Sequence, residues 1–318
     1  MSSKSTERRS TSVEANREAQ QETTSTSVED YVSKSSAEST KRAYKSDVDH
    51  YLKHAGTIPA SPNEIAAYIA AWADRLSVAT LERRLIALHQ EHRAKGLPTP
   101  VRDPLVKRTM RGIRRVKGRQ QRQVQAIEKD DLLEMLAVAE QQAPMKAARD
   151  KALLLVGFAG AFRRSELVAL TVADLTERSE GMEVVIRRSK TDQEGEGRLV
   201  FLPRATGKRC PVLALQEWLL LAAIGSGPIF RSVNRHDQIR RQGLLAQAVA
   251  TIIKQIVAKT GRDPKKFAGH SLRAGFVTTA AVQGVPTWQI KEQTGHKSDA
   301  ILAKYIRPVH RRKLPSLL

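Results

Sequence analysis

"EVVIRRSKTDQEGEGRLVFLP", residues 183–203, is where the period of the chain changes. Before and after it, apolar residues recur every three or four positions, as on one face of a helix. Here EVVIRRSK and RLVFLP alternate, and the Gly- and Asp-containing TDQEGEG joins them, so the stretch reads as a β-hairpin. Helical spacing precedes it over 128–143 and 146–161 and returns after it, at about 211–223, 242–259, 270–283, 286–293 and 298–306. The region 127–318 is therefore expected to be a helix-rich domain with a small antiparallel sheet near 175–203.

Working outward to the N-terminal side, four further helices are expected. STKRAYKSDVDHYLKHAG, residues 39–56, places Ala43, Tyr44, Val48, Tyr51 and Leu52 on one stripe. Ser61 then Pro62 is an N-cap followed by a first-turn proline, and Asp103 then Pro104 repeats the signal. Between them a helix runs from Ser77 to Gly96. These make a helical domain over 28–117, with 118–126 as a charged linker. Residues 1–27, rich in Ser, Thr, Glu and Arg, read as a disordered tail. The fold class is thus mainly α, in two domains.

Charge sets the class of partner. Lys and Arg total 54 against 33 Asp and Glu, a net charge of +21, which calls for a polyanion. Residues 93–122 hold eleven basic residues and one acid, and Lys107, Arg108, Arg111, Arg114 and Arg115 are linked by three- and four-residue steps into one helical stripe suited to tracking phosphates. The single cysteine, Cys210, cannot form an internal disulfide, and the chain lacks the roughly 18-residue apolar run of a membrane span. A cytoplasmic, nucleoid-associated protein with no membrane partner is expected.

The catalytic options narrow by residue type. Asp130 and Asp131 are adjacent, and Asp47 and Asp49 are two apart on a predicted helix, so neither pair converges as two-metal chemistry requires. HExxH, CxxC…CxxC and GxxxxGK[ST] spacings are absent. No metal and no cofactor is expected, which leaves Arg, Lys and His to stabilise charge. Five stretches offer them: AFRRSEL with Arg163 and Arg164, RRSKTD with Lys190, GHSLRAG with His270 and Arg273, TGHKS with His296, and AKYIR with Tyr305. Tyr305 stands nine positions after His296, and the other four tyrosines all lie at or before residue 68.

This order of motifs resembles the tyrosine recombinase, or phage integrase, family over roughly 35–318. The opening STKRAYKSDVDHYL is similar to the start of that family's SAM-like core-binding domain. The resemblance implies a tyrosine recombinase catalytic fold in the C-terminal domain. It implies Arg163, Lys190, His270, Arg273, His296 and Tyr305 as the catalytic set, with Glu166 supporting Arg163. The chain departs from the pattern at Arg164, where the family usually has an aliphatic residue, at Gly269, where it has proline, and at Ala274, where many members carry a second histidine. Arg164 leaves open which of the two adjacent arginines points inward.

The implied chemistry is physically coherent. Forming a phenolate at neutral pH costs about 4 kcal/mol for a phenol of pKa near 10. Two guanidiniums clamp non-bridging oxygens of the phosphodiester and keep their charge. His270 accepts the phenol proton or holds the phosphate, His296 hydrogen-bonds a non-bridging oxygen, and Lys190 protonates the 5′-oxygen. The product is a 3′-phosphotyrosine that conserves the bond for rejoining without ATP. The implied partners are double-stranded DNA with an inverted-repeat core site, and a homotetramer on two such sites. Its tail LPSLL, with Leu314, Leu317 and Leu318, would dock on a neighbour, and accessory proteins would be further partners. Two other readings share much of this sequence: a type IB topoisomerase, and a DNA-binding regulator that does not cleave.

Overall fold

The computed structural model describes residues 31, 37–54, 56–118, 124–187, 197–296, 298–300 and 302–303. The chain divides into two compact units, 1–122 and 123–318. Lys190, Tyr305, the tail 1–27 and the LPSLL segment lie outside the described residues.

Among its described residues the first unit has four α-helices: α1 Glu38–His54, α2 Pro62–Ala71, α3 Val78–Ala94 and α4 Pro104–Lys117. Local chemistry sets where they begin. Ser61 Oγ accepts from the Glu64 backbone N–H, and Glu64 Oε2 accepts from the Ser61 N–H at 2.6 Å, a reciprocal cap with Pro62 in the first turn. Helix α1 packs on α3 and α2 on α4, around Tyr51, Ile65, Ile69, Leu81, Leu88 and Met110.

One stripe expected from the sequence is corrected. Leu52 is exposed, and Asp47 is buried beside Val48 and Tyr51. The buried face of α1 thus keeps Val48 and Tyr51 from the expected stripe and takes Asp47 in place of Leu52. It tolerates a carboxylate because Arg83 grips Asp47 with Nε at 2.7 Å and Nη2 at 3.0 Å, and Arg84 adds a second ion pair. Asp49 is exposed, so the two acids of this Asp-x-Asp diverge.

The second unit begins with the pair α5 Lys129–Glu140 and α6 Pro144–Ala159, followed by the short α7 Arg164–Ala169. Three antiparallel strands follow, β1 Leu175–Glu177, β2 Gly181–Ile186 and β3 Arg198–Pro203, in the order β1-β2-β3. Val184 faces Val200 and Met182 faces Leu202 in the register, and these four side chains are buried. Val185, Leu199 and Phe201 point to the other face and are exposed, as the two-residue period of a strand requires. Helices α8 Pro211–Leu221, α9 Ala246–Lys259, α10 Ser271–Val282 and α11 Thr287–Thr294 follow, and the main core of the unit is built on Trp218, Phe230, Phe267 and Leu153.

A second hairpin was not legible. Strands β4 Arg231–Val233 and β5 Ile239–Gly243 pair antiparallel, and residues 242–243, expected to open a helix, belong to β5. The run RSVNRHDQIRRQG has no apolar alternation, so its pairing depends on tertiary contacts. One of them is Asp237 at the hairpin turn, in the left-handed region at φ 60°. Its carboxylate accepts from the backbone N–H groups of Met145 at 2.8 Å and Lys146 at 3.0 Å, capping α6 from 91–92 residues away.

Candidate active site

The site is assembled at the ends of α6, α7, β3, α10 and α11. Helix α6 stops at Gly160, and Ala161 turns into the left-handed region at φ 48°, unusual for a residue with a Cβ. That turn presents the Ala161 carbonyl to Arg273, whose Nη1 donates to it at 2.8 Å. Arg273 lies on the first turns of α10 and is 4% exposed. It is a cation held inside the protein by a strained backbone turn, and such costly arrangements concentrate at functional sites.

Glu166 is the hub on the other side. Its carboxylate is buried and accepts from the Arg163 backbone N–H at 2.9 Å, from Arg163 Nη1 at 2.6 Å and from Arg198 Nη2 at 2.9 Å. Burial pushes this carboxyl up, but Arg198 and Arg163 outweigh it and hold it below the usual carboxylate range. Glu166 therefore stays ionised and anchors two guanidiniums.

The structure turns Arg163, not Arg164, onto Glu166. Arg164 runs the other way, with Nη1 3.3 Å from Gln247 Oε1. Its side chain crosses Gly269, where an added Cβ would lie 1.8 Å from Arg164 Cδ. The two departures from the family pattern at 164 and 269 are therefore one feature: the arginine occupies the space that the glycine leaves.

Arg198 is the residue that sequence reasoning misses. By sequence it is an ordinary strand residue, yet Nη1 donates to the Gln293 carbonyl at 2.5 Å while Nη2 holds Glu166. Gln293 Nε2 in turn donates to the carbonyls of Ala159 and Phe201, each at 2.8 Å. Together they fasten β3 and the end of α11 to the Arg163–Glu166 pair. A signal does exist: Arg198 pairs with Ile186 and shares the inner face with Val200 and Leu202, and a basic residue on a buried strand face needs a partner.

His296 follows Gly295, whose φ of 65° ends α11, and its Nδ1 lies 2.8 Å from Thr294 Oγ1. Its pKa is lowered from 6.5 to about 4, first by burial and then by the positive charges of Arg273, Arg163 and Arg198, against a smaller opposing pull from Glu166. Those charges converge on one imidazole, so Arg163, Glu166, Arg198, Arg273 and His296 form one cluster. His270 stands at the head of α10, exposed, one turn before Arg273.

A pH effect follows from His296. Between pH 4 and 6.5 the unfolded chain binds a proton at this residue that the folded chain does not. Its contribution to stability is therefore present above pH 6.5 and lost as pH falls to about 4. The loss amounts to about 2 kcal/mol once solvent screening of this part-exposed ring is allowed for. The difference in unfolding free energy between wild type and His296→Gln should shrink steadily on acidification. A difference independent of pH would refute this.

In the first unit, Lys107, Arg108, Arg111 and Arg115 lie along the outer side of α4, whose other face buries Val106, Met110 and Ile113. Arg114 differs from them: its Nε donates to Glu82 Oε1 at 2.8 Å. Among the described residues no helix is long and apolar enough to cross a membrane.

Residues 125–312 match the phage integrase family. The chain is 40% identical over 282 residues to an integrase/recombinase xerD homolog of Selenomonas ruminantium, covering 86% of this chain and 82% of that one. It is 25% identical over 267 residues to recombinase cre of Escherichia phage P1, covering 78% and 76%. In fold it is similar to the XerH site-specific recombinase in its post-cleavage complex with a palindromic difH substrate (TM-score 0.63, 18% identity, 86% of this chain and 77% of that one). It is also similar to a lambda integrase dimer bound to a COC' core site (TM-score 0.64, 16% identity, 91% and 77%).

Proposed function

The chain belongs to the phage integrase family of tyrosine recombinases, and on that premise we propose that it cuts and rejoins duplex DNA at a specific site through a 3′-phosphotyrosine on Tyr305, without metal or nucleotide. The observation that carries the reading is the buried Glu166 holding Arg163 and Arg198, with Arg273 fixed on the Ala161 carbonyl two residues before Arg163. Such a preorganised cationic cluster suits an anionic phosphorane-like transition state. Arg163 and Arg273 clamp the non-bridging oxygens, His270 sits at the rim of the same helix, and Lys190 protonates the leaving 5′-oxygen. The relatives named as recombinases support recombination as the reaction, and the net charge of +21 supports DNA as the substrate.

The test is covalent capture. The protein is incubated with a randomised library of nicked duplexes, quenched with detergent, and the protein-linked strands are sequenced. A recovered inverted-repeat core with the protein on its 3′ end is the expected result. Tight binding with no covalent strand would instead favour a regulator.

The α4 cations supply the sequence-independent part of binding. Replacing Lys107, Arg108, Arg111 and Arg115 together by alanine is expected to flatten the dependence of log K on log salt by roughly 0.9 for each phosphate no longer neutralised. Arg114→Ala should change it less, because Glu82 already offsets that charge. Gel-shift titrations at several salt concentrations give the slopes, and equal slopes for the quadruple variant and wild type would remove α4 from the interface. Strand exchange takes a homotetramer on two sites, joined through the C-terminal LPSLL, with accessory proteins as further partners. Deleting 314–318 should weaken pairing of two sites more than binding to one.

A further inference from the structure

Glu166 offers two oxygens, and two different arginines hold them. Oε1 accepts from Arg163 Nη1 at 2.6 Å, while Oε2 accepts from Arg198 Nη2 at 2.9 Å and from the Arg163 backbone N–H at 2.9 Å. An arginine that meets a carboxylate alone tends to close on it with two parallel N–H groups, one to each oxygen. Here Arg163 donates its side chain to Glu166 through Nη1, because Arg198 and the backbone N–H already fill Oε2. Arg198 is fixed at that oxygen by contacts of its own. Its Nη1 donates to the Gln293 carbonyl at 2.5 Å, and Gln293 Nε2 is tied in turn to the carbonyls of Ala159 and Phe201. The guanidinium also lies against Gly295, where an added Cβ would meet Arg198 Nε at 2.9 Å. From this geometry we infer that Arg198 is a positioning residue: by occupying the second oxygen of Glu166 it keeps Arg163 from closing on the carboxylate, and so leaves the outer edge of Arg163, with its charge, for the substrate phosphate.

The inference rests on the proposed recombinase chemistry, in which Arg163 clamps a non-bridging oxygen, and it gives a role to a residue outside that set. Charge leads to the same place as geometry. Glu166 is buried and its carboxyl is held below the usual carboxylate range, so it stands beside Arg163 as a full negative charge. Paired with Glu166 alone, Arg163 would be neutralised and would offer a phosphodiester little attraction. With Arg198 present, two guanidiniums share one carboxylate, and one net positive charge remains. Neither guanidinium gives up its proton near neutral pH. Both are largely buried, so the uncompensated charge is weakly screened by water. Lysine at 198 would keep the charge, but it lacks the planar fork that holds Oε2 of Glu166 and the Gln293 carbonyl together.

The test uses the full chain. Crystal structures of wild type and Arg198→Met read the contact directly. The expected result is one Arg163 side-chain nitrogen on Glu166 in wild type, and a two-nitrogen fork in Arg198→Met, where Oε2 has been vacated. Single-turnover covalent capture on a nicked duplex should fall by about 10- to 100-fold in Arg198→Met, the scale of a lost outer-shell partner, and by less in Arg198→Lys. DNA affinity in gel shifts should stay within a few-fold in both. Suppression separates this role from packing alone. Adding Glu166→Gln to Arg198→Met removes the anion that captures Arg163, so the double variant should cleave faster than Arg198→Met. If Arg198 only packed, the two losses would add. An Arg163 contact unchanged in Arg198→Met overturns the inference, and so does a double variant no faster than the single one. If Arg198→Met fails to fold with its buried carboxylate unpaired, the double variant lacks that charge and is compared with Glu166→Gln alone. Rates within a few-fold are expected there, and a further loss of about tenfold or more overturns the inference. Absence of covalent DNA from wild type with the expected crystal contacts would overturn the recombinase reading itself, and with it the use of this charge on a phosphodiester.

Discussion

Tyr305→Phe is expected to abolish covalent capture and strand exchange while leaving DNA affinity unchanged within a few-fold. Phenylalanine keeps the ring and removes only the oxygen that bonds to phosphorus, so the nucleophile alone is lost. Removal of a covalent nucleophile elsewhere costs about 10⁴-fold or more, and no other tyrosine follows residue 68 to take its place. The measurement is the fraction of protein-linked 3′ ends on a nicked duplex, beside a gel-shift of the same site. Full cleavage by the phenylalanine variant would falsify the phosphotyrosine mechanism.

The second large effect separates two neighbours in sequence. Arg163→Ala is expected to lower the single-turnover cleavage rate by about 10³-fold, as loss of a preorganised charged donor does. Arg163→Lys should recover little of it. Lysine carries the charge but lacks the planar fork that reaches Glu166 while presenting a second edge to an oxyanion. Arg164→Ala, by contrast, should cost no more than a few-fold. Its guanidinium is turned to Gln247 and away from Glu166, through a bond of 3.3 Å. If the larger loss fell on Arg164→Ala, the inward arginine would have been misassigned and the Glu166 hub would be structural only.

Glu166 acts through the cations it holds. It sets where both Arg163 and Arg198 point. Its buried charge is tolerated because three donors surround it. A neutral Gln at 166 would free both cations from a common anchor, so its consequence would be seen in cleavage before binding.

By itself the sequence determined the helical character of both halves, the main hairpin, the basic stripe on α4 and the family. Each of these is a local property. Periodicity, caps such as Ser61–Pro62 and Asp103–Pro104, and short motifs such as RRSEL and HSLR act within one or two helical turns. What only the tertiary structure decided are long-range matters: the direction of Arg163 against Arg164, the burial of Asp47 under two arginines, the β4–β5 pairing, and the placement of Arg198 and Thr294. Arg198 meets Gln293 across 95 residues, and Arg273 meets Ala161 across 112. Such contacts leave no period or spacing in the chain. They arise because a buried charge or hydroxyl has to find a partner wherever packing places one, and that partner is chosen by the fold and not by the neighbouring residues.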